Sequence, residues 1–225
     1  MSENEENNLR ENQLAGLGSL LAGYTHELKN HLGIINESSG LMGDILDMSE
    51  TVDEQTRERF QKIITTIGER VAQANTMAKF LNSLAHRMDE PVSSFLLNDL
   101  LLEELAFLAR FARLKSITLK NNLHEELPAV NNNPGLVQFI VFTLIQKTIT
   151  QLDSGSEILL ASAVENQDIV VTMDFANAPD QPVMGKNSSK TDEALRLAMT
   201  KMNLTFKEDC PEPDQRRITM VIPSL

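Results

Sequence analysis

From Leu14 to Met48 an apolar residue returns at every seventh position: Leu14, Leu21, Leu28, Ile35 and Met42, flanked by Leu17, Tyr24, Leu32 and Leu46. That return keeps side chains on one stripe of a helix. A polar stretch, SETVDEQT, interrupts the pattern at 49–56. A second series then runs Phe60, Ile67, Ala74, Leu81 and Met88, supported by Ile63, Ile64, Val71, Ala78 and Leu84. The pattern predicts two long antiparallel helices joined by a short turn. Such a hairpin has one apolar seam and little of its own to cover it. Pairing with a second copy makes a four-helix bundle and buries the seam; packing against the rest of the chain is the competing solution. Gly16, Gly18, Gly23, Gly33, Gly40 and Gly43 make the first helix rich in glycine. Each costs up to about 1 kcal/mol relative to alanine. Close helix contact and bending both use glycine, and the sequence does not choose between them.

Pro91 marks a boundary, because the residue before a proline is biased away from helix. The pattern beyond it is mixed. Asn98 to Leu114 reads as a helix, Ser116 to Lys120 as a short strand, and Pro134 to Leu152 as a helix after the turn-like NNNP. SEILLASAVE, NQD and IVVTMDF read together as a β-hairpin. A Pro-, Gly-, Asn- and Ser-rich connection leads to a helix over Thr191 to Met202, and LTFKE and RRITMVIP close the chain as strands. A mostly antiparallel sheet with helices on one face is the economical arrangement, an α+β chain. Three regions follow: a disordered acidic tail over 1–11, the helical hairpin over 12–90, and a mixed domain over 91–225.

Charge and composition narrow the functions. Lys and Arg number 20 against 32 Asp and Glu, a net charge of -12, which argues against binding a nucleic-acid backbone. Cys210 is the only cysteine, so intrachain disulfides and cysteine-rich zinc sites are excluded. The acidic start, MSENEENNLREN, is not a secretory signal, and no apolar run reaches the roughly 18 residues of a membrane span. A cytoplasmic protein without a membrane partner is expected.

The candidate chemistry centres on His26. It lies on the side of the first helix away from Leu21 and Leu28, and so projects toward solvent. Lys29 and Asn30 follow at three and four residues, within side-chain reach, and Glu27 flanks the ring. A neutral imidazole has a nucleophilic nitrogen near neutral pH, and a neighbouring carboxylate can take or orient the proton on the other. An exposed histidine on a helix is nonetheless ordinary. His31 falls beside the apolar seam, where a polar interfacial role is expected, and His86 and His124 read as surface residues. No metal site is expected, since His26 and His31 lack both the spacing and further ligands.

The stretch LAGYTHELKNHLGIIN resembles the phosphoacceptor box of two-component sensor histidine kinases, in which a His-Glu pair is followed by Asn and then by Pro-Leu. The resemblance makes His26 the phosphorylated histidine and Glu27 its acid/base partner. It makes Asn30 a residue that can position water against a partner's aspartyl phosphate. His31 stands where the family has its proline, followed by Leu32, a change that spares the reacting groups. Lys29, Leu32 and Gly33 are then expected to meet a docked partner.

The second half resembles the family's ATPase-like domain, an α/β sandwich, in coarse order: LLNDLLLEELAFLARFARLKSITLKNNL, then NNNPGLVQFIVFTLIQKTITQLDSGSEILLAS, then the terminal strands. Together the two resemblances cover residues 12–225 almost entirely. The nucleotide-binding parts are missing. Gln146 and Lys147 stand where the family has its magnesium-binding Asn. ANAPDQPVMG, with Asp180 before Gln-Pro, replaces the Asp-x-Gly-x-Gly turn, and KNSSKTDEALRLAM has no run of glycines. Phosphate cradles need close backbone N–H groups, often supplied by glycine.

The resemblance therefore implies a histidine phosphotransferase that relays a phosphoryl group between receiver aspartates through His26. This chain would bind no cofactor, and Mg²⁺ would sit in the partner's receiver. Expected partners are a second copy of the chain and response-regulator receiver domains, with a hybrid histidine kinase a further candidate. Three alternatives stay open at this point: a response-regulator phosphatase using Glu27 and Asn30, a pseudo-kinase acting only by binding, and a residual ATP-dependent kinase.

Overall fold

The computed structural model describes residues 3–48, 53–87, 91–176, 182–185, 189–212 and 214–223. The chain divides into two compact units. One is Leu21–His86. The other joins Met1–Leu20 to Arg87–Leu225. The elements are α1 (Glu3–Met48), α2 (Glu54–Arg87), β1 (Ser93–Phe95), α3 (Leu97–Leu114), β2 (Thr118–Asn122), β3 (Val130–Asn132), α4 (Pro134–Gln151), β4 (Glu157–Glu165), β5 (Asp168–Ala176), α5 (Lys190–Lys201), β6 (Thr205–Glu212) and β7 (Gln215–Ile222).

The Leu21–His86 unit is the helical hairpin. Asp53 caps α2, its carboxylate accepting from Thr56 N at 2.7 Å, and those hydrogen bonds hold its pKa below the usual carboxylate value. Tyr24, Met77 and Leu84 are buried. The seven-residue stripe of α1 is not uniformly buried: Leu28, Ile35 and Met42 are half-buried, but Leu21 is exposed. Along α2, Ile64 and Val71 are exposed as well. Leu46 and Met88, counted in the two apolar series, lie outside what is described, as does most of the turn between the helices.

The other unit is a five-stranded sheet, ordered β2-β4-β5-β7-β6, with α3, α4 and α5. β2 and β4 pair in parallel and the remaining neighbours are antiparallel. Alternation buries one face: Ile158 and Leu160 on β4, Ile169, Val171, Met173 and Phe175 on β5, and Ile218, Met220 and Ile222 on β7. Asn166 and Gln167 turn the β4–β5 hairpin, both with positive φ, as a two-residue turn matched to strand twist requires. α3 and α5 end alike. Ser116 and Asn203 adopt positive φ, and the next residue folds back, Ile117 N to Ala112 O at 2.8 Å and Leu204 N to Met199 O at 2.9 Å. Each helix thereby stops where its strand must begin.

Two expectations are corrected. Of the stretch over 1–11 expected to be a disordered acidic tail, the described residues, from Glu3 on, are helical. Glu3, Glu5 and Glu6 suit the positive end of the helix dipole. Leu9 is buried, Asn8 Nδ2 donates to Lys190 O at 2.9 Å, and Lys201 pairs with Glu6 at 3.0 Å. For the same reason the first twenty residues group with the α/β unit and not with the hairpin. β1 and β3, paired antiparallel from Ser93↔Asn132 to Phe95↔Val130, are a further two-stranded sheet that the apolar pattern does not reveal.

Candidate functional site

His26 is exposed on α1 and its ring meets the side chain four residues on: Asn30 Nδ2 lies 3.3 Å from His26 Nδ1. The helical repeat brings them together. The contact has two chemical forms. With its nitrogen toward the ring, Asn30 donates to an unprotonated Nδ1, and the proton resides on Nε2. With the amide turned about its last bond, its oxygen accepts from Nδ1–H and the Nε2 lone pair is free. The second form prepares a nucleophile on the ring atom directed away from Asn30.

Glu27 is half-buried, beside the ring in sequence but set deeper in the helix surface. Lys29, Leu32 and Gly33 are exposed, and nothing lies within 4 Å of the space a Cβ on Gly33 would fill. The structure thus brings His26 and Asn30 into contact and leaves the three expected docking residues open. His31 is half-buried, with Nδ1 buried and no hydrogen-bond partner among the described residues.

In the α/β unit, Gln146 and Lys147 are both half-buried on α4. Lys147 Nζ makes an ion pair with Asp192 Oδ1 on α5. Asp192 also caps with Ser189, whose hydroxyl donates to Oδ2 at 2.9 Å and accepts from Asp192 N at 3.1 Å. Burial pushes the Asp192 pKa up, but the bonds from Lys147 and Ser189 together outweigh it and hold the carboxyl below its usual value. The sequence did not single out this pair, since its members lie 45 residues apart. Asp180, the turn around it and residues 186–188 lie outside the described residues. Nearby, Val183 N donates to the Glu208 carboxylate at 3.0 and 3.1 Å, and Gly185 O accepts from Arg196 at 2.7 Å. Among the described residues no group of three or more His, Cys, Asp or Glu could hold a metal ion. Nor is any described helix long and apolar enough to cross a membrane.

No family model and no curated protein matches the sequence. Solved structures do match. The catalytic domain of histidine kinase ThkA aligns over 60% of this chain and 96% of its own, at 15% identity and a TM-score of 0.51. A histidine kinase from Burkholderia phymatum aligns over 100% of both chains, at 12% identity and a TM-score of 0.50. The structure of ThkA in complex with the response regulator TrrA aligns over 100% of this chain and 68% of that one, at 15% identity and 0.52. The fold is that of the histidine kinases. In the histidine-kinase fold of this chain, the helical hairpin carries His26 and the five-stranded sheet belongs to the α/β part.

Proposed function

We propose that this chain is a histidine phosphotransferase, relaying a phosphoryl group from one receiver aspartate to another through His26. The observation that carries the reading is the exposed His26 with an amide at its Nδ1, on a histidine-kinase fold. The lone pair of Nε2 attacks the phosphorus of a receiver's aspartyl phosphate. The P–N bond forms as the P–O bond to aspartate breaks, and the aspartate leaves as a carboxylate. The Nδ1 proton stays on the ring, shared with the Asn30 oxygen, while Glu27 offsets the positive charge on the ring. A second receiver's aspartate reverses these steps. The chemistry needs little beyond positioning, so docking supplies much of the rate. Lys29, Leu32 and Gly33 are the contacts proposed for the receiver, and Lys29 meets the phosphoryl charge. ThkA is known in complex with a response regulator, and the same class of partner is proposed here.

The loss of the nucleotide motifs supports a carrier over an autokinase. The stretch 176–190 contains Gly185 alone, and Lys147 is committed to Asp192. The exposed apolar side chains of Leu21, Ile64 and Val71 favour a second copy packing on the hairpin. One observation favours a second reading, phosphatase activity: the Asn30 amide is exposed beside His26 and can orient water.

The test is to mix the protein with labelled ATP alone and, separately, with a labelled phospho-receiver. Acid-labile label should come only from the receiver and should vanish in His26→Gln. Label from ATP alone would refute the carrier reading, and phosphate release without label would favour the phosphatase.

A further inference from the structure

Glu104 occupies a position where a carboxylate is not expected. It lies three and four residues from Leu101, Leu100 and Leu108 on α3, all of them fully buried, and is itself 0% exposed. Its only hydrogen bond among those described comes from across the core, where Gln138 Nε2 on α4 donates to Glu104 Oε1 at 2.6 Å. Gln138 is also buried, among Val141, Phe142 and Ile145 of its own helix. Each side chain has one atom left over. Glu104 Oε2 and Gln138 Oε1 are both buried without a hydrogen-bond partner among the described residues.

A bare carboxylate leaves both oxygens as acceptors, and burying them unsatisfied is costly. A single proton changes the account. Neutral Glu104 has an O–H at Oε2, a donor beside the orphaned amide oxygen of the residue it already contacts. The two bonds together make a cyclic acid–amide pair that uses both leftover atoms. We propose that Glu104 and Gln138 form a proton-dependent clasp between α3 and α4, closed as a neutral acid–amide pair and opened when Glu104 loses its proton.

The charged groups acting on Glu104 fit this assignment. Burial pushes its pKa up to about 8; the Gln138 hydrogen bond and the Arg87 guanidinium pull it down, and neighbouring Glu103 adds to the rise. Arg87 is already taken, pairing with Glu103 at 2.5 Å with both side chains nearly buried. One cation therefore faces one ionised carboxylate, and the second carboxyl is balanced only as an acid. When it ionises, two adjacent carboxylates compete for Arg87, the last residue of α2, and water must enter the α3–α4 packing to solvate the excess charge. The sign follows from the raised value. The stability Glu104 contributes is complete below about 4.5, where the unfolded chain is also protonated, and is lost as pH rises toward about 8. Near neutral pH the clasp is close to its turning point. The device is confined to the α/β unit and does not involve His26.

Glu104→Gln mimics the closed state, since an amide keeps one donor and one acceptor whatever the pH. Hydrogen exchange of α3 and α4 should be the same in the wild type and in this variant at about pH 4.5, where the stability Glu104 contributes is complete. At about pH 9 the wild type should exchange faster than the variant, the ratio growing by up to about tenfold for each pH unit on the way up to about 8 and levelling off above it. Matching exchange at both values would overturn the proposal. If Glu104→Gln does not fold, infrared spectroscopy of the wild type decides: a protonated-carboxyl band should be present near neutral pH and titrate away toward pH 9. Absence of that band would overturn the proposal equally.

Discussion

Replacing both Ile64 and Val71 with Glu tests what covers the hairpin. They lie seven residues apart on one side of α2 and are 51% and 42% exposed in the single chain. Covering the half of each side chain that still faces water contributes about 1 kcal/mol per residue, so about 4 kcal/mol over two positions in two copies. Losing that alone weakens dimerisation about a thousandfold. The four new carboxylates would also have to be desolvated within the seam, at several kcal/mol more. Both sites are exposed in the single chain, so the helices should keep their far-ultraviolet circular dichroism. Sedimentation velocity over about two decades of concentration should show a dimer for the wild type and a monomer for the double variant. A wild type that sediments as a monomer throughout would refute the reasoning, as would a double variant that dimerises equally well.

Other substitutions test the packing. Asp192→Asn strands the half-buried Lys147 ammonium and should cost about 3 kcal/mol in urea unfolding. Because Asp192 is held below its usual 3.8, its contribution is present above that pH and fades as pH falls through the lower folded value, so wild type and variant should converge in acid. Ser162→Ala removes a hydroxyl that accepts from His124 N and donates to Asn98, each at 3.0 Å, and should cost about 1–2 kcal/mol in the same assay. Gly40→Ala meets nothing within 4 Å and should stabilise α1 by up to about 1 kcal/mol in thermal unfolding. A loss there instead would mean that a second helix approaches the backbone at Gly40.

What could be read from the sequence was what short-range geometry decides. The exposure of His26 and its contact with Asn30 follow from the helical repeat, and NQD and NNNP marked a turn and a helix start that the structure contains. Asn133 caps α4 by accepting from Leu136 N at 2.8 Å. What tertiary contacts decide was not legible. Residues 3–11 look like a solvated acidic tail until Lys190 and Lys201 are brought to them. The strands SSF and VNN are too short to show alternation. The stripe through Leu21 gave the helix its period but not what covers it. Glu104 looked like one of three ordinary acids on α3, with Asp99 and Glu103, because Gln138 is 34 residues away.

The most direct test of the account is to locate the phosphoryl group. The protein, charged by a phosphorylated receiver and kept at alkaline pH to preserve phosphohistidine, is digested and mapped by mass spectrometry. The account places the modification on the peptide containing His26, and adding a second, unphosphorylated receiver should remove it. Phosphate on another residue, or an unmodified His26 while label passes between the receivers, would contradict it.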